Sequence, residues 1–162
     1  MIKVRDIKKE DREALKKILY MTQNFSDEEK EVGLELIDIT LNNPNQTDYF
    51  IRVAEKNGTL LGYYCIGKRA LTDGVFDLYW IVVSPESQNK GVGTILINDA
   101  ENYVLSNNGR LILAETSSRD DYTNTRNFYI KNNYKPLAEI KDFYKLNDNL
   151  IIFGKYLTKK GI

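Results

Sequence analysis

Histidine is absent from this chain of 162 residues. Ser-His and Cys-His nucleophilic machinery, histidine general bases and most catalytic zinc sites are thereby excluded. Cysteine occurs once, as Cys65, so neither an internal disulfide nor a cysteine-rich zinc site can be built. That residue stands in the strand-like run Leu61-Gly62-Tyr63-Tyr64-Cys65-Ile66, a setting for a buried structural thiol rather than a nucleophile. No metal is expected. An excess of either charge is also lacking: 23 basic residues face 23 acidic ones, which favours neither nucleic acid nor an anionic membrane as a partner. No window approaches a membrane span, and the start Met-Ile-Lys-Val-Arg carries no apolar signal region. A cytoplasmic protein is the expectation. Repeats, low-complexity tracts and linkers are missing too, and the length suits one domain over residues 1–162 with a real core.

The hydrophobic content of 42% is ordinary, and its periodicity sets out the elements. Ile2 to Arg5 reads as a short strand. Asp11 can cap a helix carrying Ala14, Leu15, Ile18 and Leu19 on one face. Ser26-Asp27-Glu28-Glu29 is a capping box before a second helix, with Val32, Leu36, Ile37 and Thr40 inward, stopped by Asn42-Asn43-Pro44-Asn45. Tyr49 to Glu55 and Leu60 to Ile66 are strands joined by Lys56-Asn57-Gly58, a strong hairpin signal. A strand from Val75 to Val83 leads into a polar turn and a helix with Ile95, Leu96, Ala100, Tyr103 and Val104 on its apolar face, ending near Asn107-Asn108-Gly109. Leu111 to Thr116 is the next strand; strand, helix and strand in this order imply a parallel pair with a crossover. A helix from about Tyr122 to Asn132 follows, with Asp120 and Asp121 placed to cap it, then strands near Tyr134 to Ile140 and Leu150 to Leu157.

The turn before the central helix is the most informative stretch. It reads Val83-Ser84-Pro85-Glu86-Ser87-Gln88-Asn89-Lys90-Gly91-Val92-Gly93-Thr94. Glycines at a helix start let backbone N–H groups approach an anion with no Cβ in the way, and the helix dipole favours negative charge there. This is the build of a pyrophosphate site. The dinucleotide fingerprint needs a third glycine where Leu96 stands, and the phosphate loop of nucleotide hydrolases needs Gly-Lys where Lys90-Gly91 stands. Both are disfavoured.

What remains is Gln-x-x-Gly-x-Gly after a strand closing in Val-x-Pro. Through Val83, Pro85, Gln88, Gly91 and Gly93 it resembles the acyl-CoA-binding motif of the GNAT acyltransferase superfamily. The stretch Asn127-Phe128-Tyr129-Ile130-Lys131-Asn132-Asn133-Tyr134 is similar to that family's Phe-Tyr-x-x-x-Gly-Phe segment. Both motifs come in the family's order and at about its spacing, and the resemblance covers nearly the whole chain. It implies an α/β (α+β) fold: a mixed seven-stranded sheet flanked by about four helices, in the order β-α-α-β-β-β-α-β-α-β-β. The strands beside the central helix splay in that fold, and acyl-CoA lies in the gap.

The resemblance also assigns roles. Backbone N–H groups of Gln88, Asn89, Lys90, Gly91, Val92, Gly93 and Thr94 would cradle the CoA pyrophosphate, with Lys90 adding charge. The backbone of Ile81, Val82 and Val83 would pair with the pantetheine arm like an added strand. Tyr129 stands where the family often has a tyrosine that hydrogen-bonds the CoA sulfur. A thiol has a pKa of about 8.5 and a phenol about 10, so orientation and hydrogen bonding outweigh proton donation there. Two positions depart from the family pattern. Tyr122 replaces an asparagine that often contacts the pantetheine, with Asn124 close by, and Asn133 replaces a glycine, which a left-handed helix end tolerates.

An amine acceptor must be neutral to attack, and an alkylamine has a pKa of about 10.4, so a group or water chain must take its proton. Without histidine the candidates are carboxylates: Glu115 at the end of the strand after the central helix, then Asp77 on the facing strand. Each also reads as an ordinary surface or salt-bridged carboxylate. Acceptor specificity is expected from the Tyr20 to Phe25 connection and from Asp142 to Asn149, the latter either closing over the acceptor or forming a polar hairpin turn. The leading reading is an N-acetyltransferase that moves acetyl from acetyl-CoA to a primary amine, on a small molecule or a peptide, by direct attack in a ternary complex; no residue resembles an acyl-enzyme nucleophile. The alternative is a non-catalytic CoA-binding or regulatory module of the same fold. Dimers are common in the family, so a homodimer stays open.

Overall fold

Ser26 and Glu29 form the reciprocal cap expected of them: the Glu29 N–H donates to Ser26 Oγ at 3.1 Å and the Ser26 N–H to Glu29 Oε2 at 2.6 Å. The helix they start is one of four α-helices in a computed structural model that describes residues 1–158. Along the chain run β1 (Lys3–Asp6), α1 (Arg12–Met21), α2 (Asp27–Asn42), β2 (Phe50–Lys56), β3 (Thr59–Lys68), β4 (Val75–Val83), α3 (Val92–Ser106), β5 (Leu111–Ser117), α4 (Thr123–Lys131), β6 (Lys135–Lys145) and β7 (Asp148–Tyr156). This is the expected order of elements. The strands form one mixed sheet in the order β1-β2-β3-β4-β5-β7-β6. β4 and β5 are parallel, with α3 as their crossover, and their ladder runs over Val75–Asp77 and Leu111–Leu113.

The chain divides into two compact units that share β4 and α3. The first comprises Met1–Lys68 and Tyr79–Ala100. Its β2–β3 hairpin turns on Asn57 and Gly58, both left-handed at φ 52° and 80°, as a two-residue turn matched to strand twist requires. Leu15 and Ile18 of α1, Leu36 and Ile37 of α2 and the inward residues Ile51, Val53, Tyr63, Cys65 and Val82 form one core cluster. α3 joins this unit through Asp99, which accepts from Arg52 at 2.9 Å and from the Tyr64 hydroxyl at 2.8 Å.

The second unit comprises Arg69–Leu78 and the chain from Glu101 onward. Here α3 is anchored by Glu101, which receives Lys155 Nζ of β7 at 2.8 Å. α3 ends in a motif with Asn108 left-handed (φ 59°) and the Gly109 N–H returning to Val104 O at 2.8 Å. The left-handed residue is thus the asparagine of the expected Asn107-Asn108-Gly109 stop.

Several local expectations are corrected by tertiary contacts. Asp11 does not cap α1. Its carboxylate sits in the preceding 3-10 turn, where it takes the Lys8 N–H at 2.8 Å and both terminal nitrogens of Arg5 at 2.7 and 2.9 Å. Asp120 and Asp121 likewise make no side-chain cap on α4, and Asp121 pairs with Arg119 at 3.0 Å. Ala14 and Val32 face solvent. On α2 the inward position falls on Gly33, packed against Leu19, rather than on Val32. Ile95 is also on the exposed side of α3. β6 runs on through Lys145 and turns into β7 at Leu146 and Asn147, so Asp142–Asn149 is the end of a hairpin, the second of the two expectations for it. An irregularity lies between Ile140 and Lys145, where Asp142 is left-handed at φ 52°.

Candidate active site

The first unit holds the glycine turn. β4 ends at Val83, a 3-10 turn spans Pro85–Ser87, and the chain enters α3 at Val92. Between them Asn89 (φ 59°) and Gly91 (φ 78°) both adopt left-handed backbone. The Ile95 N–H makes the first helical return bond, to Gly91 O at 3.1 Å. The N–H groups of Val92, Gly93 and Thr94 precede it and are the open donors of a helix start. A Cβ built on Gly91 meets no atom within 4 Å, so the space in front of the turn is open. Lys90 is exposed, with its ammonium folded onto Glu86 O at 2.7 Å. Gln88 is exposed too, and its amide lies 3.4 Å from Val83 O. Open N–H donors, a left-handed backbone and one lysine suit a phosphate group.

The second unit holds the other candidates. Tyr129 owes its position to the way α4 ends. The Asn133 N–H returns to Ile130 O at 3.0 Å, the Tyr134 N–H to Tyr129 O at 3.0 Å, and Asn133 is left-handed at φ 65°. This is the two-bond helix terminus that usually carries glycine, and it accepts asparagine here as expected. It packs the Tyr134 ring 5.5 Å from that of Tyr129, which also stacks on Phe153 at 5.6 Å. Only 4% of Tyr129 is exposed, and burial pushes its hydroxyl well above the ordinary phenol range. Burial thus favours its neutral, protonated form. The start of α4 is tied to β5 by Arg126, which donates to Ser117 O at 2.7 Å and Arg119 O at 2.8 Å.

Glu115 is exposed on β5. Its neighbour Ala114 pairs with Phe153, the residue stacked on Tyr129, while Glu115 pairs with Ile152. Successive strand residues face opposite ways, so Glu115 and the Tyr129 ring lie on opposite faces of the sheet. Asp77 is held by Arg69 at 2.6 Å, which occupies it as an ion pair. Tyr122 is buried beneath the Arg119 guanidinium, 5.1 Å from its ring, whereas Asn124 is exposed on the first turn of α4. Cys65 is wholly buried, and burial pushes its thiol up to about 12, which removes it as a nucleophile. Among the described residues no cluster of acidic and sulfur ligands of metal-binding size occurs, and no helix is long and apolar enough to cross a membrane.

The family model of the GNAT acetyltransferases matches residues 8–134, which include both motifs. A GNAT-family protein from Desulfovibrio desulfuricans has the same structure with a TM-score of 0.92 at 32% identity, over 96% of this chain and 99% of that one. The chain belongs to the GNAT acetyltransferase family. An aminoglycoside 6'-N-acetyltransferase complexed with coenzyme A shares the fold at a TM-score of 0.76 and 18% identity, over 99% of each chain. So does the PaiA N-acetyltransferase of Thermoplasma acidophilum, also in complex with coenzyme A, at 0.73 and 21%, over 97% of this chain and 99% of that one. No curated protein matches significantly in sequence.

Proposed function

We propose that this protein transfers acetyl from acetyl-CoA to a primary amine by direct attack in a ternary complex. The observation that carries the reading is the open, left-handed turn at Asn89 and Gly91 in front of the donors of α3. Coenzyme A bound to two relatives of the same fold supports it. Backbone N–H groups from Gln88 to Thr94 would hold the pyrophosphate, with Lys90 lending charge. The ladder to β5 takes up only the first three residue pairs of β4, Val75–Asp77, and so leaves the Ile81–Val83 edge for a pantetheine arm. Asn124 is the exposed amide of α4 for the same ligand.

In the reaction the amine nitrogen attacks the thioester carbonyl, the carbon–sulfur bond breaks and sulfur leaves with the electron pair. The Tyr129 hydroxyl, its protonated form favoured by burial, would hydrogen-bond the sulfur as charge develops. Glu115 is the carboxylate proposed to take the amine proton, from the opposite face of β5. Asp77 is second, since its ion pair with Arg69 competes for it. No acyl-enzyme is proposed, because the one thiol is buried and raised in pKa. Thermal shift tests the reading. Acetyl-CoA should raise the melting temperature while NAD and ATP do not. Equal shifts with all three would remove the assignment of the turn to CoA, and binding without thiol release on any amine would favour the non-catalytic module.

A further inference from the structure

Two aromatic pairs, each with one ring from β4 next to Ile81–Val83, lie in the first unit. Phe25, from the connection between α1 and α2, meets Trp80 of β4 edge to face at 4.9 Å. Tyr49, just before β2, meets Tyr79 of β4 at 5.4 Å and 68°. Phe25, Tyr49 and Trp80 pack against the same core cluster. The ring of Tyr79 lies over the bare backbone of Gly67, where a Cβ would come within 3.0 Å of it and within 2.0 Å of Asp48 O. Glycine is thus required at the floor of this aromatic group. These rings are not core in the way the neighbouring tyrosines are. Tyr63 and Tyr64 are 1% and 0% exposed, whereas Tyr79 is 41% exposed and the other three are half-buried.

The direction of CoA along β4 gives the rings a use; this step rests on the function proposed above. With the pyrophosphate at Gly91 and the arm passing Val83, Val82 and Ile81 in that order, the acyl end arrives at Trp80 and Tyr79. An acceptor must approach at that end. Thr22–Ser26 and Leu78–Ser84 hold no charge and Asn43–Tyr49 holds only the exposed Asp48; of the carboxylates that border them, Asp77 is paired with Arg69 and Glu29 with the Ser26 N–H, while Asp27 and Glu28 are exposed. A polycation or an amino sugar needs several carboxylates and hydrogen-bonding groups around it. Edge-to-face rings instead offer right-angled apolar walls for a flat group. We propose that Phe25, Tyr49, Tyr79 and Trp80 form the acceptor pocket, and that the acceptor is an arylalkylamine, its ring among theirs and its amino group at the thioester.

The test is a thiol-release panel of tryptamine, spermidine, an aminoglycoside and an alanine-initiated peptide, with acetyl-CoA affinity measured in parallel. Tryptamine should give the highest kcat/KM. Tyr79→Ala, and Trp80→Phe where Trp80→Ala fails to fold, should raise the tryptamine KM about three- to tenfold, the range for losing or shrinking one ring contact. Their acetyl-CoA affinity should hold. Turnover that favours spermidine, the aminoglycoside or the peptide would overturn this proposal alone. So would an unchanged tryptamine KM in Tyr79→Ala. Absence of acetyl-CoA binding in the parent protein would overturn the proposed function, and this proposal with it.

Discussion

Replacing Gly91 separates backbone strain from ligand approach. Its φ of 78° lies where an L-residue pays about 1–2 kcal/mol, and a β-branched side chain sits at the upper end. No steric clash adds to this, because a Cβ at Gly91 meets nothing within 4 Å. Gly91→Val should therefore fold, with a melting temperature lower by roughly 2–8 °C for a domain of this size. Binding should suffer more. Each charge-assisted bond from a backbone N–H to a phosphate oxygen contributes about 1.5–3 kcal/mol. Methyl groups in the open space before α3 would cost at least one such bond, weakening acetyl-CoA binding about ten- to a hundredfold. Gly91→Asn is the companion. Asparagine already adopts this conformation at Asn89, Asn108 and Asn133, so the variant should regain stability while still blocking approach. Isothermal titration of both variants, with circular dichroism to establish folding, is the assay. If both fold and both bind acetyl-CoA like the parent, the pyrophosphate is not held at this turn.

Tyr129→Phe keeps the stack on Phe153 and removes only the hydroxyl. It should lower kcat about tenfold to a thousandfold and leave acetyl-CoA affinity unchanged, and a parental kcat would make Tyr129 structural. Glu115→Gln should lower kcat/KM at pH 7 and recover at higher pH, where more amine is already neutral; equal activity at every pH excludes Glu115 as the base. Burial alone would raise the Asp11 carboxyl, but Arg5 and the Lys8 N–H outweigh it and hold the group below its ordinary 3.8. A lowered folded pKa contributes stability above the ordinary value, and this is lost as pH falls through the folded one. Asp11→Asn should thus cost about 1.5–3 kcal/mol in urea denaturation at pH 7 and much less near pH 3; an equal cost at both would refute the ion-pair account.

The parts legible in the sequence are those fixed by a few adjacent residues. The Ser26–Glu29 box, the Asn57-Gly58 turn, the Asn133 helix end and the strand–turn–helix at Gly91 each carry their geometry in their own side chains or lack of them. The misread parts depend on distant residues. Asp11 has the chemistry of a cap, but Arg5 across the turn takes its carboxylate. Periodicity cannot fix the rotation of α2 to within one residue, and the Leu19 side chain selects Gly33 over Val32. β6 hides its length because its residues are almost all exposed and the irregularity near Asp142 breaks alternation. The insertion of β7 between β5 and β6 is a pairing that chain order does not contain. Within the candidate site, the turn and Tyr129 were legible from motif, whereas the Arg69 partner of Asp77 and the aromatic group at Tyr79 and Trp80 needed the fold.

The most direct test of acetyl transfer is a single assay that follows thiol release and amine acetylation together, with both substrates varied. The account predicts that thiol appears only when an amine is present, in step with acetylated product, and with the intersecting kinetics of a ternary complex. Acetyl-CoA that binds but yields no thiol with any amine would contradict it, as would acetyl-enzyme formed before amine is added.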